Sequence, residues 1–218
     1  MGYNVAIDGP AGAGKSTIAK LVAKEKGYIY VDTGAMYRGL AICFLNKGIS
    51  PEEKDRVIEA LETADVTIRY KDGKQQVYLN GEDITARLRE EAVGNMASKT
   101  SAIPEVRAKL LELQRNLART SDVIMDGRDI GTCVLPNADV KIYLTASTHT
   151  RAKRRYNELC EKGIECDLKE IEKDIEERDH RDMTREIAPL KQAEDAILVD
   201  SSDLTIEEVV TKIISYCK

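Results

Sequence analysis

The chain has 218 residues, enough for one globular body with sub-lobes, and 33% charged with 42% hydrophobic residues makes it a packed, helix-rich protein rather than a disordered one. A formal net charge of −5 excludes broad, sequence-independent binding to nucleic acid, which needs a field of Lys and Arg, so any phosphate site has to be locally positive. The cysteines, Cys43, Cys133, Cys160, Cys166 and Cys217, lack the paired spacing of a zinc site and read as reduced thiols.

The chain opens on a strand-like run, Tyr3 to Ile7, that leaves no room for a charged and then apolar leader. No stretch approaches the roughly 20 apolar residues that span a bilayer, so a cytoplasmic protein is expected. Directly after the run comes Gly9-Pro10-Ala11-Gly12-Ala13-Gly14-Lys15-Ser16-Thr17, a phosphate-loop pattern set before a helix predicted over Ile18 to Lys24. Its glycines let successive backbone N–H groups turn toward one anion, Lys15 has the reach for β- and γ-phosphates, and the Ser16 hydroxyl suits Mg²⁺. A dinucleotide loop is excluded, because Gly12-Ala13-Gly14 runs into Lys15-Ser16-Thr17 without a third Gly or Ala. A nucleoside triphosphate is the expected ligand.

A second strand, Tyr28 to Val31, leads into Asp32-Thr33-Gly34-Ala35-Met36-Tyr37-Arg38, read as a polar loop at a strand end. Val66 to Tyr70, Val77 to Leu79 and Ile84 are short strand-like pieces separated by Asp72-Gly73 and Asn80-Gly81, which predicts a small antiparallel insert. The helix beginning near Pro104 carries Val106, Leu110, Leu113 and Leu117 on one face. A third strand, Val123 to Met125, closes on Asp126-Gly127-Arg128-Asp129-Ile130-Gly131-Thr132, whose first carboxylate resembles a Walker-B ligand for Mg²⁺. Strands over Val140 to Leu144 and Ala196 to Val199 complete an alternation that indicates a parallel sheet with helices on both faces. Ligands of such sheets collect beyond the carboxyl ends of the strands, so the three loops are expected to converge on one cleft.

Between the last two strands, Arg151 to Arg185 is densely charged and poor in large apolar residues, and is expected to be a mobile lobe outside the core. Within it Arg178, Arg181, Asp182 and Arg185 fall at i, i+3, i+4 and i+7, which puts three guanidiniums on one helical face. His149 and His180, the only histidines, have no arrangement suggesting a metal or a nucleophile.

These motifs, in this order, resemble the bacterial cytidylate kinases, or CMP/dCMP kinases, across essentially the whole chain. The resemblance rests on GPAGAGKST, DTGAMYR, the insert around NGEDIT, the PEVR turn, DGRDIGT and ERDHRDMTR. It implies a P-loop α/β core over residues 1–37, 100–150 and 182–218, with five parallel strands in the order 2-3-1-4-5. It also implies a monophosphate-binding lobe over 38–99 that contains the antiparallel insert, and a short helical lid over 151–181. Adenylate kinases lack that insert. The implied monophosphate site falls on Thr33, Arg38, Ser98, Arg107, Arg128, Asp129, Arg178, Asp182 and Arg185. Among these, Arg107 and Asp129, with Thr33, look like cytosine readers; Ser98, Arg178 and Asp182 look like sugar contacts; Arg38, Arg128 and Arg185 look like phosphate ligands, Arg185 being exchangeable with the base set. Arg128, Arg178 and Arg185 join Lys15 as the implied catalytic set. Arg151, Arg154 and Arg155 are candidates to close over ATP, and Ser16 and Asp126 are candidates to hold Mg²⁺. Thr33 stands where some members have Ser, and Ser16 where some have Gly.

The implied activity is ATP-dependent phosphorylation of CMP and dCMP by a monomer that takes small nucleotides and has no nucleic-acid or membrane partner. A P-loop kinase for UMP, AMP or a non-nucleotide alcohol stays open at this point. A non-enzymatic nucleotide switch would call for Asn-Lys-x-Asp and Asp-x-x-Gly motifs, which the chain lacks.

Overall fold

In the computed structural model, which describes residues 2–218, the chain runs β1 (Asn4–Asp8), α1 (Lys15–Lys26), β2 (Ile29–Asp32), α2 (Thr33–Asn46) and α3 (Lys54–Thr63). There follow β3 (Val66–Lys71), β4 (Lys74–Leu79), β5 (Glu82–Asp83), α4 (Glu91–Thr100), α5 (Pro104–Thr120) and β6 (Val123–Gly127). The last elements are β7 (Val140–Thr145), α6 (Thr148–Glu161), α7 (Leu168–Thr184), β8 (Ile197–Asp200) and α8 (Ile206–Ile214). Strands β2-β6-β1-β7-β8 form a five-stranded parallel sheet, which is the order 2-3-1-4-5 when the core strands alone are numbered, and β3-β4-β5 form a separate antiparallel sheet. Each core strand coincides with a predicted apolar run to within a residue or two at its ends. By contacts the chain divides into two units, one of Gly2 and Ile29–Val123, the other of Tyr3–Tyr28 and Ile124–Lys218.

In the first unit the predicted polar loop after β2 is absent. Asp32 is an N-cap, its carboxylate accepting from the Ala35 N–H at 2.9 Å, and α2 starts at once with Thr33. The helix is then carried inward by Met36, Leu40, Ile42 and Phe44, all buried. Both insert turns have the left-handed pairs that two-residue hairpins require, Asp72 and Gly73 at φ 52° and 70°, Asn80 and Gly81 at 51° and 84°. The third insert strand is Glu82–Asp83; Ile84 lies just past it, still donating to the Val77 carbonyl at 3.0 Å before the chain turns into a short 3₁₀ segment. On α5 the buried residues are Val106, Leu110, Gln114 and Ala118, with Leu113 and Leu117 only flanking them. The covered stripe is thus an i, i+4 ridge inclined to the helix axis, as helices that cross obliquely use.

The insert is tied to β2 by side chains. Gln75 of β4 accepts from the Asp32 N–H at 2.9 Å and donates its amide to the Asp32 carbonyl at 3.1 Å. Tyr70, its cross-strand partner, donates its hydroxyl to the Tyr30 carbonyl at 3.2 Å, and burial pushes that phenol's pKa up to about 12. Gln75→Leu strips both groups of Asp32 of these partners, and we expect a loss of ~1–3 kcal/mol. For a chain of this size that is a fall in Tm of about 2–4 °C per kcal/mol, read by thermal melting.

In the second unit β1 is flanked by β7 in register, with Ile7 opposite Ile142, and Ile142 opposite Ile197 of β8. Helix α8 opens with a capping box in which Thr205 and Glu208 satisfy each other's backbone N–H. The charged stretch expected to stay outside the core does so only in its middle. At its ends Arg151, Ala152, Ile175, Asp179 and Asp182 are buried, the charged ones because each meets an opposite charge. Among the described residues no helix is long and apolar enough to cross a membrane.

Candidate active site

The phosphate loop joins β1 to α1 in the second unit. Gly9 has φ 148°, and a Cβ there would lie 1.9 Å from the Leu144 carbonyl, so only glycine lets the loop leave β1 along this path. Gly12 and Gly14 are left-handed, and Gly14 precedes the first turn of α1, whose N–H groups face the loop. Lys15 is 5% exposed and donates its ammonium to the Pro10 carbonyl at 2.6 Å. Burial foremost, and then the Arg128 guanidinium, lowers its pKa well below the ordinary lysine value; Arg178 adds to this, while Asp126 and Asp8 oppose it. Residues far apart in sequence, Lys15, Arg128 and Arg178, therefore lie within electrostatic reach of one another.

The Ser16 hydroxyl donates to Asp126 Oδ2 at 2.9 Å, so the two candidate Mg²⁺ ligands sit side by side at the end of β6 and the start of α1. Just beyond, the backbone coils into a five-residue π-type turn over Ile130–Val134 in which the Asp129 carbonyl accepts from the N–H of Cys133 at 2.8 Å and of Val134 at 3.2 Å. Two ion pairs bind this segment to the end of α7: Arg128 Nε to Asp182 Oδ2 at 2.8 Å, and Arg185 Nη2 to Asp129 Oδ1 at 3.2 Å. Burial works against the Asp182 carboxylate, yet Arg128, Arg178 and Arg185 together hold its pKa below the usual value.

The expected single face of Arg178, Arg181, Asp182 and Arg185 is only partly formed. Arg181 is exposed, because it lies roughly 120° around the helix from the buried line through Ile175 and Asp179. Arg185 has already left the helix as its C-cap, with Nε donating to the Ala188 carbonyl at 2.7 Å. The third guanidinium beside Arg178 and Arg185 is instead Arg128.

The three arginines of α6 part company. Arg151 is 4% exposed, and its guanidinium donates to the carbonyls of Ala146 at 2.9 Å and of Ala11, in the phosphate loop, at 2.8 Å. It also pairs with Asp179 of α7 at 2.6 Å. Arg154 donates to the Ser201 carbonyl at 2.7 Å, after β8, and Arg155 is exposed beside Glu158. His149 approaches only Glu172, at 3.5 Å, and His180 is exposed.

In the first unit, Thr33 and Arg38 lie on α2, Ser98 on α4 and Arg107 on α5. Thr33 is buried, Arg107 lies over the Tyr37 ring at 5.7 Å and donates to the Ser101 carbonyl at 3.4 Å, and the Ser98 hydroxyl is buried with no hydrogen-bond partner. A buried orphan hydroxyl is what a sugar hydroxyl or its water would satisfy.

Asp8 lies outside the motifs that mark the other candidate residues. It closes β1 as Asp126 closes β6, so the cue that singled out Asp126, a carboxylate at the end of an apolar strand, is equally present. Its oxygens accept from the N–H groups of Ile130 at 2.8 Å and Gly131 at 2.7 Å.

A family model described as Cytidylate kinase matches residues 5–218. A protein named Cytidylate kinase from Caldicellulosiruptor saccharolyticus is 54% identical over 211 residues, which is 97% of this chain and 93% of the relative. Another so named, from Lactobacillus johnsonii, is 50% identical, covering 96% of this chain and 91% of its own length. Among solved structures, a gluconokinase from Sinorhizobium meliloti 1021 superposes with a TM-score of 0.51 at 13% identity, covering 98% of this chain and 90% of that one, a likeness of fold alone.

Proposed function

The chain belongs to the cytidylate kinase family, and on that premise we propose that it transfers the γ-phosphoryl group of ATP to CMP, and to dCMP as well, acting as a cytoplasmic monomer. The observation that carries the reading is the gathering of the phosphate-loop Lys15 with Arg128 and Arg178, next to the Ser16 and Asp126 oxygens. Two polyanions that repel each other need such a group of cations before their reacting atoms can meet.

The phosphate of a nucleoside monophosphate, with a second pKa near 6, is mostly dianionic at pH 7 and is already a competent nucleophile. What remains for the protein is positioning and charge screening in an in-line transfer. Lys15 would bind the β- and γ-phosphates, and Arg38 and Arg128 the phosphate of CMP. Arg178, Asp182 and Ser98 would meet the sugar. Asp129, Arg107 and Thr33 would read the base, and the 3.2 Å pair with Asp129 favours Arg185 on the base side rather than the phosphate side. Ser16 and Asp126 offer two hard oxygens that fit Mg²⁺, the rest of its shell coming from phosphate and water. When bound, that ion would neutralise charge on the triphosphate. The hairpin of α6 and α7 would serve as the lid. Arg155 is the arginine there that would close onto ATP at least cost, since its pair with Glu158 is exposed, whereas Arg151 and Arg154 are held by backbone carbonyls.

A coupled assay with ATP and Mg²⁺ against CMP, dCMP, UMP, AMP and GMP tests the reading. We expect kcat/KM for CMP and dCMP at least about tenfold above the others. A higher value for UMP or AMP, or no transfer to any of the five, would overturn it.

A further inference from the structure

Beyond the residues that touch nucleotide, we propose that Asp8 is a positioning residue, its carboxylate clamping the backbone amides of Ile130 and Gly131 and so setting the direction in which Asp129 presents its side chain to the base. The proposal rests on the cytidylate kinase reading for the role of Asp129.

The geometry follows from which peptide unit is held. The N–H of Ile130 belongs to the peptide that begins at the Asp129 carbonyl. Asp8 Oδ1 accepts from that N–H at 2.8 Å, while the carbonyl at the other end of the same peptide accepts from Cys133 and Val134. A peptide plane gripped from both sides fixes the ψ angle of Asp129, and with it the path of the side chain that pairs with Arg185. Asp8 Oδ2 takes the next amide, Gly131, at 2.7 Å. Glycine gives room there rather than a special φ. A Cβ would stand 3.3 Å from Asp8 Oδ2 and 3.2 Å from Lys141 Cδ, closer than either group tolerates without shifting.

Each carboxylate oxygen thus holds one backbone amide of the turn, and a dianionic phosphate acceptor needs no general base, so a positioning role is the better account of Asp8. It is also 5% exposed, and a group this buried is held charged by its donors: burial pushes its pKa up to about 6, the Gly131 and Ile130 amides resist that rise, Asp129 adds to it and Lys15 resists it. Asp8 is bonded directly to Gly9, the first residue of the phosphate loop. Its side-chain hydrogen bonds nonetheless go to the turn that carries the candidate base reader.

Asp8→Asn keeps the size but turns an amide NH₂ toward one of the two N–H donors. We expect the CMP-to-UMP ratio of kcat/KM to fall by about fivefold or more, while KM for ATP changes by less than about twofold. In the same ligand-free protein the Ile130 and Gly131 amides should exchange about tenfold faster. A folded variant with an unchanged ratio overturns the proposal, as do unchanged exchange rates at both amides. Should Asp8→Asn fail to fold, Gly131→Ala, which presses on the same carboxylate, carries the test with the same expected ratio and the same overturning result. A merely structural loss would lower activity on both pyrimidines together. Wild-type enzyme that does not prefer CMP would count against the functional reading, whereas wild-type preference with an unmoved Asp8→Asn ratio counts against Asp8 alone.

Discussion

Lys15→Ala should lower kcat by about 10²–10³-fold, ~3–4 kcal/mol of lost transition-state stabilisation, with the protein still folded. The structure adds a second expectation about its stability. Lys15 is buried, and its charged form is disfavoured by burial and by Arg128 and Arg178 more than Asp126 and Asp8 can offset. Removing the ammonium relieves that repulsion and forfeits one hydrogen bond, to the Pro10 carbonyl. The variant's Tm should therefore equal or exceed that of wild type, even as turnover collapses. Steady-state kinetics with a thermal melt reads both, and near-normal turnover in a folded variant would remove Lys15 from the catalytic set.

Asp129→Asn should narrow the CMP-to-UMP ratio of kcat/KM more than any other single change at the base. Cytosine presents a 4-amino donor and an N3 acceptor, uracil an O4 acceptor and an N3 donor. A carboxylate at position 129 accepts from the first and repels the second, a difference worth ~2 to 5 kcal/mol in a buried site. An asparagine can turn its NH₂ toward O4. Because Asp129 also pairs with Arg185, with both side chains buried, the substitution takes one of its carboxylate partners from a buried guanidinium, and Tm should fall as well. The ratio, measured in wild type and variant at one Mg²⁺ concentration, separates the two effects. An unchanged ratio would show that Asp129 does not read the base.

What the sequence made legible is what local chemistry announces. The five core strands are apolar runs bounded by breakers, and Asp72-Gly73 and Asn80-Gly81 can scarcely be anything but tight turns. The phosphate loop is spelled out in consecutive residues. Less legible was whatever depends on a distant partner. Arg151 has every sign of a surface arginine, yet it is buried because Ala11 and Asp179, one far before it in the chain and one on the next helix, supply its acceptors. Asp8 shares the strand-end cue of Asp126, but its role is hidden because the two amides it holds come more than a hundred residues later. Asp32 is ambiguous for a local reason: a strand-end Asp followed by Thr and Gly suits a loop as well as a helix cap, and only the apolar run behind it decides. Of the candidate site, the residue types were legible from motif and resemblance, whereas the pairing of Arg128 with Asp182 and of Arg185 with Asp129 was not.

The hold of Gln75 and Tyr70 on β2 bears on how these molecules behave in company. β2 stands at one end of the five-stranded sheet, and a terminal strand ordinarily offers a row of unmet N–H and C=O groups to any extended segment that drifts past. Here the Asp32 N–H, the Asp32 carbonyl and the Tyr30 carbonyl, which project from the same side of the strand, are met by an amide and a phenol. The insert thus blocks the outer margin of the sheet without lengthening it, so that a neighbouring chain in a crowded cell finds little there to pair with.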